Sequence, residues 1–498
     1  MASIRKTKTG SGATAVQIVK YVNRKVVVLK HVGSARSPDE IDALVESAEV
    51  WISQEIPQIS LFQKIPQRVI SLATSQYTGI TYTFAYDVLT AISRRTGFGS
   101  INNQLLLDLA FMRLIEPASK LRSIVLMEKY FHIKYAERSV YRILPKLKNC
   151  KVDVERIAVA CAKEYLRSDL ALVLYDVTTL YFETFDVDDL RKPGFSKDSK
   201  SQQPQIMIGL LVTSEGFPLG YEVFLGNTFE GHMMIPVLEK FAAANNVELP
   251  IVVADAAMIS RENVAELELR KLSYIVGARM ANCKPKIIKE SSVALNQKDG
   301  ATVRIPTDHG DLICTFSAKR FRKDKAEMEK QIAKGKSLIA KREPGKRAKF
   351  VKHASEGNIY VLDDALVTKT KLLLGVKGYY TNIPQSKLSN DEIITRYRDL
   401  WHVEQAFRIA KSDLAARPIF HHKQDAVHAH MVICFVALAL GKYLEIAAKL
   451  SLRRITDILL SVTDAEIIDT ITGEQFTMRS EPDDEVRSLM QKLKLVSY

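Results

Sequence analysis

Residues 171–184 read ALVLYDVTTLYFET, and the apolar, β-branched part of it, 171–182, is interrupted by one carboxylate, Asp176. That composition predicts a buried strand. Moving outward, QIMIGLLVT at 205–213 and GFPLGYEVFLG at 216–226 are also strand-like, and their short polar connections predict antiparallel neighbours. A helical stretch at 232–245 leads to IVVAD at 251–255, then to a helix from Ser260 to Arg270 and a strand, YIVGAR. Three strands followed by alternating helix and strand predict an α/β layer arrangement. Residues 281–372 lose this rhythm and hold short β-like pieces, ATVRIP and DLICTF, around a basic segment. After GYYTNIP, the run Ser389-Asn390-Asp391-Glu392 caps a helix expected to reach about Lys411.

The region before this core reads differently. Residues 15–32, AVQIVKYVNRKVVVLKHV, predict a small hairpin turning at Asn23-Arg24-Lys25. Ser37, Pro38 and Glu40 then start a helix whose apolar spacing continues to Trp51. Residues 84–167 are helical in pattern. Their last segment carries Arg138, Tyr141 and Arg142 after a short turn, which suits either a helix-turn-helix reader of DNA or a packing helix with solvated arginines.

At 498 residues and 47% hydrophobic, the chain has the size and apolar content for about two to four domains. The apolar run Met431–Leu440 is half the length a bilayer span needs and is expected to be a buried helix; no membrane is expected as a partner. The basic N-terminal residues lack the apolar segment of a secretory signal, so the cytoplasm is the expected location. The five cysteines have no paired spacing, which argues against a thiolate zinc site. The histidines His421, His422, His428 and His430 have no cysteine or acid at ligand spacing and are expected at the surface or facing DNA. A net charge of +14 favours a polyanionic partner. Much of it lies in Lys319–Lys352, where 14 Lys or Arg face 4 Asp or Glu, starting with Lys319, Arg320, Arg322 and Lys323. A solvated helix face or loop is the alternative reading of that segment.

Three acids stand out. Asp176 interrupts one apolar strand and Asp255 ends another, positions where a carboxylate loses hydration unless a cation or donor compensates it. A strand-end aspartate can equally cap the next helix. On the helix after Asn390, Tyr397, Glu404 and Lys411 recur every seven residues, with Arg408 one turn past Glu404. This stripe could hold a metal through Glu404 and phosphates through the cations, although Glu404 and Arg408 could instead form an ordinary helix ion pair. Asp399 lies about 140° round the helix from Glu404 and is discounted. Glu230 could line the site, and Trp401 is expected in the core rather than against a base.

Together YDVTTLYFET, VVADAAMISREN and YRDLWHVEQAFRIAK resemble the three catalytic motifs of DDE transposases of the IS4-type insertion-sequence group, closest to its IS1634-like branch. The third matches that group's tyrosine, glutamate and lysine signature at Tyr397, Glu404 and Lys411. The flanking GYYTNIP and DLAARPIFHHKQDAVHAHMVICFVAL are similar too, so the resemblance spans roughly 170–445. Two positions depart from the pattern. The group's arginine three residues after the tyrosine is Leu400 here, so Arg398 or Arg408 substitutes or one phosphate contact is missing. Its glycine after the second aspartate is Ala257.

The resemblance implies an RNase H-like core, a mixed sheet flanked by helices. Asp176, Asp255 and Glu404 would hold two Mg²⁺ ions, with Mn²⁺ able to substitute, and the 149 positions between the last two acids leave room for a β-rich insertion. The expected layout is an N-terminal hairpin and helix at 1–80, a helical DNA-end-binding domain at 81–168 and the first part of the core at 169–280. A basic β-rich insertion at 281–372, the second part of the core at 373–447 and a C-terminal helical tail at 448–498 follow. The implied activity is metal-dependent cleavage and strand transfer of DNA. The implied partners are double-stranded DNA, as element inverted repeats and target, and a second copy of the chain in the synaptic complex. Location would be bacterial, on the nucleoid when DNA is bound. The rival readings are a nuclease without strand transfer and a DNA-binding protein that no longer cuts.

Overall fold

Asp176 sits within strand β1 (Leu172–Tyr181), partly accessible while the four residues on each side of it are buried. Strands β2 (Gln205–Val212) and β3 (Pro218–Leu225) follow as antiparallel neighbours. β4 (Ile251–Ala254) and β5 (Tyr274–Ala278) return on the other side of β1 and run parallel to it. Helices α1 (Met234–Asn245) and α2 (Arg261–Leu269) make the connections that parallel strands require. Three further strands, β6 (Thr302–Thr307), β7 (Gly310–Phe316) and β8 (Val376–Thr381), extend the sheet antiparallel from β5, giving the order β6-β7-β8-β5-β4-β1-β2-β3. The fold is therefore mixed α/β, an eight-stranded sheet flanked by helices. This computed structural model describes residues 2–22, 25–55, 74–194, 202–228, 233–245, 250–256, 261–308, 310–341, 348–353 and 360–495. The calls on Asn23, Arg24, Glu230 and Ala257 lie outside them.

The segment 281–372 is not the β-rich insertion expected. It contains helices α3 (Pro285–Leu295), α4 (Ala318–Lys341) and α5 (Asp364–Leu373) beside β6 and β7. Its apolar residues Ile288, Leu295, Leu312, Cys314 and Phe316 pack with Met280 and Val376, so the segment shares a core with the end of β5 and the start of β8. The basic run is mostly α4, a 24-residue helix with lysines and arginines on its exposed face.

The expected continuous helix to Lys411 is three pieces: α6 (Asn390–Arg398), α7 (Trp401–Arg408) and a π-helical turn over Ile409–Asp413. The capping box of Ser389 and Glu392 forms as expected. Between α6 and α7 the bonds Leu400 N–H to Tyr397 O (3.2 Å) and His402 N–H to Asp399 O (2.9 Å) span three residues, tightening the turn. After Arg408 the Leu414 N–H reaches Ile409 O at 2.9 Å, five residues back, which widens it. A seven-residue stripe cannot stay on one face through both changes of pitch.

The apolar run near the C-terminus belongs to α8 (Gln424–Ala448), long and apolar enough to cross a membrane but with 83% of its most apolar stretch buried by protein. It is a core helix.

The chain forms two compact units, Thr90–Ser123 with Tyr135–Ile455, which holds the large sheet, and Met1–Leu89 with Ile124–Lys134 and Thr456–Tyr498. In the latter, the hairpin Thr14–Val22/Lys25–Ala35 gains a third strand, Ala2–Lys8, and helix Pro38–Glu55 packs Leu44 and Ala48 against Val16 and Ile18. The C-terminal region is not wholly helical either. Strands Asp464–Asp469 and Gln475–Arg479 come between helices Leu452–Ser461 and Asp484–Lys492 in sequence and pair with each other, and Asp464–Asp469 also pairs with Ser75–Thr81, nearly four hundred residues away in sequence. Such non-local pairing leaves no local sequence signal.

Candidate active site

The parallel register of β1 and β4 pairs Leu172 with Ile251, Val173 with Val252 and Leu174 with Val253. The same offset carried two residues further sets Asp176 beside Asp255. Adjacent strands lie about 4.8 Å apart, and equal register points both side chains to one face of the sheet. Thr178 and Leu180, on that face of β1, line a small apolar cavity with Phe407 and Lys411, so α7 and the turn after it cover the face that carries Asp176.

Asp255, exposed just past the end of β4, opens into a cavity of about 450 Å³ at the carboxyl ends of β4 and β5 and the start of β8. Glu404, on α7, lines the same cavity, together with Tyr397 and the cations Arg320, Lys377 and Arg398. Both hydrogen bonds to Asp255 go to Oδ1, from the Ala256 N–H at 2.7 Å and the Tyr397 hydroxyl at 3.0 Å. Oδ2 has no protein partner among the described residues. Burial, and then the adjoining Asp255 carboxylate, push the Tyr397 phenol above its ordinary range, so it stays protonated and donates. Its ring packs 4.7 Å from that of Tyr379 and under the Lys377 ammonium, 4.6 Å from the ring centroid. Gly277 makes room for it: a Cβ there would lie 2.5 Å from the Tyr397 hydroxyl.

Glu404 makes no hydrogen bond or ion pair among the described residues, so the ordinary pairing with Arg408 is not formed. Lys377 is held below the usual lysine range by burial and by Arg320, while Asp255 and Glu404 pull the other way. The cavity therefore mixes two underused carboxylates with three cations, a charge pattern suited to a divalent cation and a phosphate side by side. Among the described residues, no three His, Cys, Asp or Glu side chains are grouped tightly enough to hold a metal as they stand. Asp176 does not line the cavity itself; its Oδ1 accepts from the Val177 N–H at 2.7 Å.

The sequence from 168 to 440, more than half of the chain, matches the transposase DDE domain. The chain belongs to the DDE transposase family. Among curated proteins, none matches the sequence. Among solved structures, a piggyBac transposase synaptic complex with hairpin DNA is similar over 76% of this chain and 69% of that one, at 13% identity and a TM-score of 0.35, too distant to bear on mechanism.

In this DDE transposase, other residues expected at the site fall elsewhere. Lys411 turns to the small apolar cavity, and Arg408 is exposed outside the acidic one, near Asp413. Of the two candidates to replace the arginine missing at Leu400, Arg398 is the one that lines the cavity. Trp401, expected in the core, is 52% exposed at the cavity wall. Asp399 faces His402, Arg396 and Glu215 instead. Arg320 lines the cavity from α4, and Lys319, Arg322 and Lys323 are exposed beside it. Arg138 and Arg142 are exposed on the helix Glu137–Ile143. His421, His422 and His430 line a separate cavity. Sequence reasoning missed Lys377. Its one signal is a lysine second in an otherwise uncharged strand, VKGYYT.

Proposed function

We propose that this transposase binds the terminal inverted repeats of its mobile element, cuts the DNA there and joins the ends to a target. The observation that carries the reading is the cavity shared by Asp255, Glu404, Lys377, Arg320 and Arg398, with Asp176 and Asp255 each two residues past Leu174 and Val253, the last pair of the β1–β4 ladder. The strand order β3-β2-β1-β4-β5, with β1, β4 and β5 parallel and β2 antiparallel to β1, supports an RNase H-like core.

Asp176, Asp255 and Glu404 would hold Mg²⁺ or Mn²⁺; the donors are all hard oxygens, and Asp255 Oδ2 and Glu404 are available to a cation. When bound, two such ions supply an activated water or 3′-hydroxyl and stabilise the leaving oxygen. The chain's own residues do the rest. Tyr397 fixes Asp255 through Oδ1, so its second oxygen keeps one direction. Lys377, Arg320 and Arg398 hold the scissile phosphate and its neighbours, and the exposed lysines and arginines of α4 continue that contact along the backbone. Location in the bacterial cytoplasm, on the nucleoid, and dimeric synapsis are part of this proposal.

Genomic DNA flanking the coding sequence supplies the substrate, since short inverted repeats bracketing it would be the element's ends. A pre-cut end incubated with supercoiled target plasmid and Mg²⁺ should give joined products. Hydrolysis alone would assign a nuclease, and no cutting of intact ends with Mg²⁺ or Mn²⁺ would assign a DNA-binding relative.

A further inference from the structure

A second cavity, about 680 Å³, lies apart from the acids and is lined by Arg113, Lys120, Arg417, His421, Lys423 and His430, with no Asp or Glu among the described residues of its wall. Lys120 and His430 are 6% and 2% exposed. His430 Nε2 lies 3.0 Å from the Ala416 carbonyl and donates to it, so Nδ1 carries the lone pair and accepts from the Lys120 ammonium at 2.6 Å. The other two ammonium donors of Lys120 have no partner among the described residues. Arg113, also buried, spends Nη1 on the Leu414 and Ala415 carbonyls, each at 2.8 Å. Burial, and next Arg113, bring Lys120 down to about 7. Buried cations without a counter-charge are costly, and an anion entering the cavity would relieve that cost. Two helices also begin at its wall. One starts at Lys120, where the Ser119 hydroxyl accepts the Arg122 N–H, and α8 starts after Lys423, which provides no side-chain cap, so the helix ends add at most a modest positive potential, offset in part by Asp425 in the first turn of α8. At the mouth stand Tyr141 and Phe420, 45% and 66% exposed, two aromatic faces beside a cationic floor.

We propose that this cavity binds a nucleoside phosphate, its phosphate on Lys120 and Arg113 and its base against Phe420 or Tyr141. A space of this size admits one nucleotide and excludes a duplex, so the occupant is a phosphorylated strand end or a free nucleotide. The site uses none of the three acids and stands or falls apart from the cleavage reading.

The test is calorimetric titration of the full chain in EDTA with 5′-phosphorylated dT4, unphosphorylated dT4 and AMP. The phosphorylated oligonucleotide should bind at least about tenfold more tightly than the unphosphorylated one. Lys120→Met should abolish that difference, and Lys423→Gln, at an exposed position, should reduce it by roughly threefold. If circular dichroism shows Lys120→Met to be unfolded, Lys423→Gln decides. AMP binding as tightly as the phosphorylated oligonucleotide assigns the site to free nucleotides; weaker AMP binding assigns it to strand ends. Equal affinity for the two oligonucleotides, or a phosphate preference unchanged in the folded variants, overturns the proposal.

Discussion

The acidic cavity and the cationic cavity of the sheet-bearing unit both collect basic side chains, yet they are built for different occupants. In the first, Arg320, Lys377 and Arg398 face Asp255 and Glu404, and the mixture suits a metal ion together with a phosphate. In the second, Lys120 and Arg113 meet, among the described residues, a neutral imidazole and carbonyls but no carboxylate, a setting suited to an anion. Positive charge by itself therefore does not mark a cleavage site. What sets the proposed cleavage site apart is the carboxylates beside its cations, Asp255 and Glu404.

The largest effect expected short of removing an acid is at Lys377. Lys377→Met keeps the length of the side chain, removes the charge beside both carboxylates, and should lower cleavage of element ends about a hundredfold. Single-turnover cleavage within a few-fold of wild type would show that the cations of this cavity do not act on the reacting phosphate. Gly277→Ala should come next. The added methyl displaces the Tyr397 hydroxyl from Asp255, costing about 1–3 kcal/mol of stability and roughly tenfold in cleavage. A thermal melt and a cleavage assay check both, and an unaltered rate would free Tyr397 of its positioning role. The smallest effect separates two arginines. Arg398→Gln should weaken end-DNA binding about fivefold, whereas Arg408→Gln, exposed outside the cavity, should change it by less than about twofold. The reverse ranking in a binding titration would move the missing contact of Leu400 to the other side of α7.

What the sequence revealed of this site follows from how local each signal was. Asp176 and Asp255 stand out in the sequence because one interrupts a buried strand and the other follows the end of one, and the strands themselves announce their period. Their shared register was not legible, since it depends on β4 pairing with β1 across 79 residues. Tyr397 and Glu404 were found as a pair. Lys411 lies off the face shared by Tyr397 and Glu404 because a tightened turn and a π-turn change the helical pitch, with no proline or glycine to mark either. Lys377 and Arg320 were brought to the acids by β8 and α4, elements of a segment whose strands read as fragments. Of the fold, the β1–β5 half of the sheet was readable from hydrophobic period and connection length; the extension through β6, β7 and β8 was not, because its core is shared with residues far away in the chain.

The central claim is that Glu404, rather than another acid of the same helical region, completes the site with Asp176 and Asp255. Cleavage of element ends in Mg²⁺ by Glu404→Gln and by Asp399→Asn, matched for folding by circular dichroism, tests it most directly. Glu404→Gln should lose several orders of magnitude in rate while still binding end DNA. Asp399→Asn, half-buried at the C-cap of α6 beside His402 and Arg396 and outside the acidic cavity, should leave the cleavage rate within a few-fold of wild type. An inactive Asp399→Asn beside an active Glu404→Gln would contradict the account.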